Sequence, residues 1–176
     1  KKDIKLIIFN QGPGNFTSLR VALAYIKAMA FYLKVHIITL NSFQILALSA
    51  NKNHKEYPLN VAIDARMNEI YYAEYKNHFD IFTKDKSHDL FSYEKFYEKL
   101  KNLKKEKITI IKNNSSFLLD TNYYNDLVSE TVIGPQDIDI PKIIESVEKN
   151  LLNREKSVDE ACLLYIRETV AKKINE

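Results

Sequence analysis

The residues best placed to do chemistry form one stretch, Gln11-Gly12-Pro13-Gly14-Asn15-Phe16-Thr17-Ser18-Leu19-Arg20. Two of the chain's three glycines fall here, on either side of a proline. Glycine admits positive φ and close approach of another group, and proline fixes φ between the two. Asn15, Thr17 and Ser18 are all residue types that cap helices. An apolar run from Leu6 to Phe9 precedes the turn and a long apolar segment follows it, so strand, turn and helix start are written in about fifteen residues. The N–H groups of such a helix start suit an anion or a partner's carboxylate. Gly12, Pro13, Gly14, Asn15, Thr17 and Arg20 are accordingly the candidate anion or partner loop. The plainer reading is a turn that only reverses the chain. It is not a Walker loop, because no lysine and hydroxyl follow the last glycine. Nor is it a dinucleotide fingerprint, because the third glycine and the acidic ribose partner are missing.

A second polar constellation, Asp64-Ala65-Arg66, stands at the turn after a predicted strand. Asp64 and Arg66 either brace that turn or face a cleft between two domains. Of the four histidines, His54, His78 and His88 are read as lying in polar loops and His36 as beginning a strand. No pair has i,i+4 spacing and none accompanies Cys162, so no metal site is expected. A serine hydrolase is unsupported, since no G-x-S-x-G elbow appears. Cys162 has apolar neighbours and is read as a packed thiol.

The elements that must position these residues follow from periodicity. Lys5 to Phe9 reads as a buried strand. Between Leu19 and Leu33 the only charges are Arg20 and Lys27, with alanines at 22, 24, 28 and 30. A helix so apolar around its circumference is expected to be buried on two sides, with its alanine face admitting a second helix from this chain or a partner. It is too short and too interrupted by charge for a comfortable membrane span. Val35 to Leu40 is a second strand, parallel to the first by a right-handed crossover. Ser42 to Ala50 is a short helix. A boundary is placed in polar Asn51 to Tyr57, dividing residues 1–50 from 51–176.

Beyond it, Leu59, Val61 and Ile63 alternate with Asn60, Ala62 and Asp64, the period of a half-buried strand. Arg66-Met67-Asn68 reverses the chain into a strand from Glu69 to Lys76, and Phe79 to Thr83 is read as a third strand of a meander. Ser92 caps a helix to about Leu103, and Ile108 to Ile111 is a buried strand. Leu118 to Leu127 receives no assignment. Asp139 and Pro141 open a helix to about Leu152, and the tail from Tyr165 to Lys173 has no clear period.

Composition sets the outer bounds. The 176 residues suffice for one domain or two small ones with a proper core. Basic and acidic residues number 26 and 23, a net charge of +3 that by itself names no polyanion partner. The lysines at 101, 104, 105 and 107 are read as a solvated face. A single cysteine excludes an internal disulfide, and the chain reads as intracellular. It starts at Lys1 and enters a strand almost at once, from which an absent N-terminal segment is inferred.

Several motifs in order now carry a resemblance. Gly12-Pro13-Gly14-Asn15-Phe16-Thr17-Ser18-Leu19-Arg20, the alanine-rich helix, Asn41-Ser42-Phe43, Asp64-Ala65-Arg66-Met67-Asn68-Glu69-Ile70-Tyr71 and Tyr165-Ile166-Arg167-Glu168-Thr169-Val170-Ala171 resemble the bacterial TsaB (YeaZ) family along nearly the whole chain. Ser18 departs from a usual glycine, and Leu163 from a usual proline. The resemblance implies an α/β, actin-like ATPase (ASKHA, ribonuclease H-like) fold of two lobes. Residues 1–50 would be the remainder of a first lobe incomplete at its N-terminus, and 51–176 the second lobe.

It also implies a non-catalytic subunit of the machinery that makes N6-threonylcarbamoyladenosine at position 37 of tRNA, in the cytoplasm. TsaD, the catalytic relative, carries Asn-His-x-x-x-His after the second strand of this unit, where this chain reads Asn41-Ser42-Phe43-Gln44-Ile45-Leu46. Ser42 and Leu46 cannot replace two imidazoles. Family members pair through the helix after the glycine turn, here by way of Leu23, Ala24, Lys27, Ala28 and Phe31. The partners so implied are TsaD, a TsaE-type ATPase joining the complex, and a second copy of the chain when TsaD is absent. Contact with tRNA would be indirect. ATP would be used by the complex, with no cofactor held tightly by this chain. Three other readings compete: an independent ASKHA-type small-molecule kinase using the turn as a phosphate site, a glycoprotease, against which the missing metal pair and missing triad argue, and a degenerate remnant.

Overall fold

The computed structural model describes residues 4–50, 57–83, 88–102, 108–112, 128–151 and 157–166. The first unit is strand, helix, strand, helix: β1 (Leu6–Asn10), α1 (Phe16–Leu33), β2 (His36–Leu40) and α2 (Ser42–Ala50). β1 and β2 are parallel, in register from Leu6 against His36 to Asn10 against Leu40. Asn15 caps α1, its Oδ1 accepting the Ser18 N–H at 3.0 Å. Lys34 closes the helix at φ 55°, in the left-handed region, and its N–H returns to the last carbonyls. Asn41 and Gln44 cap α2 reciprocally: the Asn41 N–H reaches Gln44 Oε1 at 2.7 Å and the Gln44 N–H reaches Asn41 Oδ1 at 2.8 Å. This is a capping box built with amides.

The second unit is a five-stranded sheet. Its strands are β3 (Leu59–Arg66), β4 (Glu69–Tyr75), β5 (His88–Ser92), β6 (Ile108–Lys112) and β7 (Val128–Val132), in the order β5-β4-β3-β6-β7. The first three form an antiparallel meander, and β6 and β7 join β3 in parallel. The single turn α3 (Asp80–Thr83) and the helix α4 (Tyr93–Asn102) flank β5, and α5 (Ile140–Asn150) follows a 3-10 turn at Pro135–Asp137. Asp139 caps α5 as expected, accepting the Lys142 N–H at 3.2 Å.

Two expectations are corrected here. Phe79 to Thr83 is not a strand: Asn77 Oδ1 accepts the Asp80 N–H at 3.0 Å, starting the short α3, and the meander's third strand is β5. β3 is not half-buried, because both sheet faces are covered. Leu59, Val61 and Ile63 pack with α2 and α5, while Ala62 packs with Phe96 and Leu100 of α4. Asn60 is buried with them and accepts the Tyr72 hydroxyl at 2.5 Å. Burial, with Glu74 and Asp89 nearby, pushes the Tyr72 phenol well above its usual value. Within the chain α1 is buried on the side that meets β1, and of the two sources expected for a second helix this chain supplies none among the described residues. The boundary placed at 51–57 falls mostly on residues outside those described. α2 on its near side packs into one core with the second sheet through Phe43, Leu46 and Ala47.

Candidate functional site

The glycine turn is held from three directions. The Gln11 N–H donates to Leu40 O at 2.8 Å, at the end of β2. The Leu164 N–H donates to Gln11 O at 2.8 Å, tying in the C-terminal segment. From the start of α2, the Ser42 N–H donates to Gly12 O at 2.8 Å and its hydroxyl lies 2.7 Å from Pro13 O. Asn10 Oδ1 accepts the Gly12 N–H at 2.9 Å, and the Ser42 hydroxyl is 3.0 Å from the same oxygen. Gly12 has φ +101°, and a Cβ there would stand 3.0 Å from Leu19 Cδ1. Only glycine takes this conformation without strain. The Gly12–Pro13 peptide is cis. Ser42 thus has a use that the sequence did not disclose: it braces the turn. Asn10, at the strand end just before the motif, is a second brace that the sequence reading does not single out.

The second constellation meets the first. Asp64 Oδ1 accepts the Arg66 N–H at 2.7 Å, bracing a hairpin turn in which Arg66, Met67 and Asn68 have φ of 59°, 54° and 58°. Burial and the Asp64 carboxylate together raise the pKa of the Tyr93 phenol beside that turn. A cleft of about 280 Å³ lies between Pro13, Gly14, Asn15 and Thr17 on one wall and Ala65, Arg66 and Tyr71 on another. Leu163 to Ile166 close it. Arg20 does not line the cleft; its guanidinium stacks 3.8 Å above the Phe16 ring, which in turn faces Tyr165 at 6.1 Å. The arrangement offers a helix start, a cation and three aromatic rings to one small space.

α1 divides its residues between two environments. Leu23, with Ala22, Ile26 and Met29, packs on Ile7, Phe9 and Ile37 and against Val158 and Ala161. Lys27 is half-buried and donates to Asp159 O at 3.4 Å. Ala24 and Ala28 are exposed, as are Val21, Tyr25, Phe31 and Tyr32, the last four at 66–78%. By length and composition alone α1 could cross a bilayer, with mean hydropathy 1.2 over 18 residues. Its inner side, however, is occupied by β1 and the C-terminal segment.

The remaining reactive residues are dispersed. Cys162 is exposed and is not the packed thiol expected. His88 is not in a loop but on β5, its ring stacked on Phe43 at 4.6 Å. His78 packs edgewise on Phe82, His36 is exposed, and His54 lies outside the described residues. Among the described residues no three metal-ligand side chains gather. Leu46, at the second histidine position of the TsaD motif, is a core residue.

Comparison with known proteins agrees with this geometry. The family model for TsaD, tRNA N6-adenosine threonylcarbamoyltransferase, matches residues 1–173. The chain is 31% identical over 110 residues to the tRNA threonylcarbamoyladenosine biosynthesis protein TsaB of Buchnera aphidicola subsp. Schizaphis graminum, covering 62% of this chain and 52% of the relative. It is 30% identical over 125 residues to TsaB of Buchnera aphidicola subsp. Acyrthosiphon pisum, covering 70% and 56%. It therefore spans about half the length of the curated relatives it matches. Two solved Pseudomonas aeruginosa structures share the fold at 17% identity. One is described as similar to peptidase YEAZ, with TM-score 0.63 over 93% of this chain and 74% of that one. The other, YeaZ, has TM-score 0.61 over 92% and 74%. The sheet order, with its antiparallel meander and two parallel crossovers, and these neighbours are those of the actin-like, ribonuclease H-like α/β fold. With a matching family model along nearly its whole length and TsaB proteins as its curated relatives, the chain belongs to the TsaB (YeaZ) family.

Proposed function

We propose that this chain is a non-catalytic partner subunit in the synthesis of N6-threonylcarbamoyladenosine at position 37 of tRNA. It works by docking the outer face of α1 on a TsaD-type catalytic subunit. The observation that carries the reading is the uncovered apolar face itself. Val21, Tyr25, Phe31 and Tyr32 stand in solvent around Ala24 and Ala28, on a helix whose other side is already packed. Large exposed apolar surfaces of this kind mark association sites, and alanines at spacing 24 and 28 let a second helix approach closely. The names of the relatives supply the pathway. Ser42 and Leu46 supply the non-catalytic character, since one braces a turn and the other fills the core. In this reading a TsaE-type ATPase joins the complex and consumes the ATP. The same face closes a homodimer without TsaD, tRNA is met through TsaD, and the work is done in the cytoplasm.

Ala28→Glu tests it. A charge set into a closed helix interface is costly by several kcal/mol, so co-expression with the cognate TsaD should give a one-to-one complex for the natural chain and separate peaks for the variant. An unaltered complex with Ala28→Glu would sink the proposal. The cleft at the glycine turn favours a second reading, an ASKHA-type kinase; magnesium-dependent ATP binding by the chain alone would support that one.

A further inference from the structure

The outer face of α1 carries a pattern of charge beside its apolar one. Written as a heptad, the helix places Val21, Ala24, Ala28 and Phe31 at the a and d positions of a seam. The residues it turns inward, Ala22, Leu23, Ile26, Met29 and Ala30, fall at b, c and f. Arg20, Lys27 and Lys34 are spaced by seven and all take g, one edge of that seam. The other edge, e, holds Tyr25 and Tyr32. Arg20, Lys34 and both tyrosines are exposed, and Lys27 is half-buried. We propose that this row of cations selects the partner: an amphipathic helix of a different protein, with carboxylates along the edge that faces Arg20, Lys27 and Lys34, in preference to a second copy of this chain. The inference rests on α1 being the docking face for a TsaD-type subunit, and it names the charge of what docks there.

The rest of the first unit does not offset the row. Between Ile4 and Ala50 the chain has four basic residues and no acidic one. The turn beside α1 carries Asp159 and Glu160. Lys27 Nζ donates to the Asp159 carbonyl oxygen at 3.4 Å, and the Glu160 carboxylate accepts the Ser157 N–H at 2.7 Å. That tether leaves the Lys27 ammonium two further hydrogens to donate. Arg20 is ordered by stacking on Phe16, and a cation already held in place loses less freedom on pairing than a mobile one. Two copies related by a two-fold axis across the seam run antiparallel, which sets g against g. Arg20 then meets Lys34 of the second copy, and the two Lys27 side chains meet each other. In a parallel pair g faces e, and each cation meets a tyrosine. Neither arrangement forms an ion pair on these edges, whereas an acidic helix offers each cation a carboxylate. Edge charges act in this way, on partner choice and on the rate of encounter. A polyanion such as RNA would attract the same cations, but Val21, Ala24 and Ala28 give a phosphate backbone nothing to bond and give a second helix its closest approach.

Binding of the cognate TsaD should be measured for the natural chain and for Arg20→Glu/Lys34→Glu at about 0.1 M and about 1 M salt, where screening lengths are about 10 Å and about 3 Å. The natural chain should bind more weakly at the higher salt, mainly through slower association. The double variant should bind roughly tenfold more weakly than the natural chain at the lower salt and within about twofold of it at the higher. Ala28→Glu, which strikes the seam itself, should fail at both. A complex that ignores salt and accepts the double variant would overturn the charge inference and leave the docking face standing. No complex with the natural chain at either salt would sink both. Self-association tighter than TsaD binding at the lower salt would overturn the preference for a different protein. Binding of tRNA by the chain alone, lost in the double variant, would give the row to a polyanion. If the double variant does not fold, Lys34→Glu alone, at the exposed helix end, should still weaken binding by about threefold at the lower salt; unchanged binding would overturn the inference.

Discussion

At the scale of single residues, Gly12 and Gly14 look alike in sequence and differ in structure. Gly12 has φ +101° and a virtual Cβ 3.0 Å from Leu19 Cδ1, whereas a Cβ at Gly14 would meet the same atom at 3.4 Å with no unusual φ. Gly12→Ala should cost about 1–3 kcal/mol, the usual charge for a side chain in such a conformation. Gly14→Ala should stay within about 0.5 kcal/mol. Urea denaturation should show a lowered midpoint with an unchanged slope for the first only; equal midpoints would mean the turn relaxes freely. Tyr72 gives a second prediction. Its phenol keeps its proton in the fold beyond its ordinary value, through burial first and then Glu74 and Asp89. Above about pH 10 the unfolded chain releases that proton and the native chain does not, so stability falls as pH rises. Tyr72→Phe should remove this part of the alkaline loss. It should also cost about 0.5–1.5 kcal/mol at neutral pH, because the buried hydrogen bond from Tyr72 to Asn60 Oδ1 is lost. Alkaline unfolding curves that run parallel for both proteins would contradict the assignment.

At the scale of elements, the first unit was legible because each signal was local. The apolar run of β1, the cap at Asn15 and the β-branched β2 agree with one another and with the parallel pairing. One miss was local, and the rest depended on neighbours distant in sequence. Phe79 to Thr83 has strand-like residue types, yet the Asn77 cap makes it a turn of helix. β5, His-Asp-Leu-Phe-Ser, has no alternation of its own and exists by pairing with β4. Asn60 reads as an outward residue until α4 covers that face and Tyr72 satisfies it. The site was half-visible for the same reason: the motifs at 12–20 and 64–66 could be found separately, but their meeting at one cleft depends on Leu164 pairing with Gln11. The sidedness of α1 was only implied by its alanines. It adds a condition to the Ala28→Glu test: with residue 28 in solvent, the isolated variant should match the natural chain's stability within about 0.5 kcal/mol at concentrations low enough to keep both monomeric. A lost complex can then be assigned to the interface and not to misfolding.

At the scale of the whole molecule, buried residues cluster on both faces of the second sheet and beneath α1, and among the described residues the outer face of α1 stays exposed. Such a molecule should gain stability from whatever occupies that face, because a ligand bound only to the native state adds RT ln(1 + [L]/Kd) to unfolding. That is about 2.7 kcal/mol at a hundredfold excess over Kd, and roughly 2–4 °C per kcal/mol for a chain of this size. Titrating the cognate TsaD should therefore raise the melting temperature of the natural chain and leave Ala28→Glu unmoved. Without TsaD, a melting temperature that climbs with the chain's own concentration would be the mark of the homodimer on the same face. The kinase reading makes the opposite pair of predictions. Magnesium-ATP would stabilise the chain by filling the cleft between the glycine turn and Arg66, TsaD would do nothing, and Ala28→Glu would respond like the natural chain. The two ligands act at different walls of the molecule, so one thermal titration with each separates a docking subunit from an enzyme in its own right.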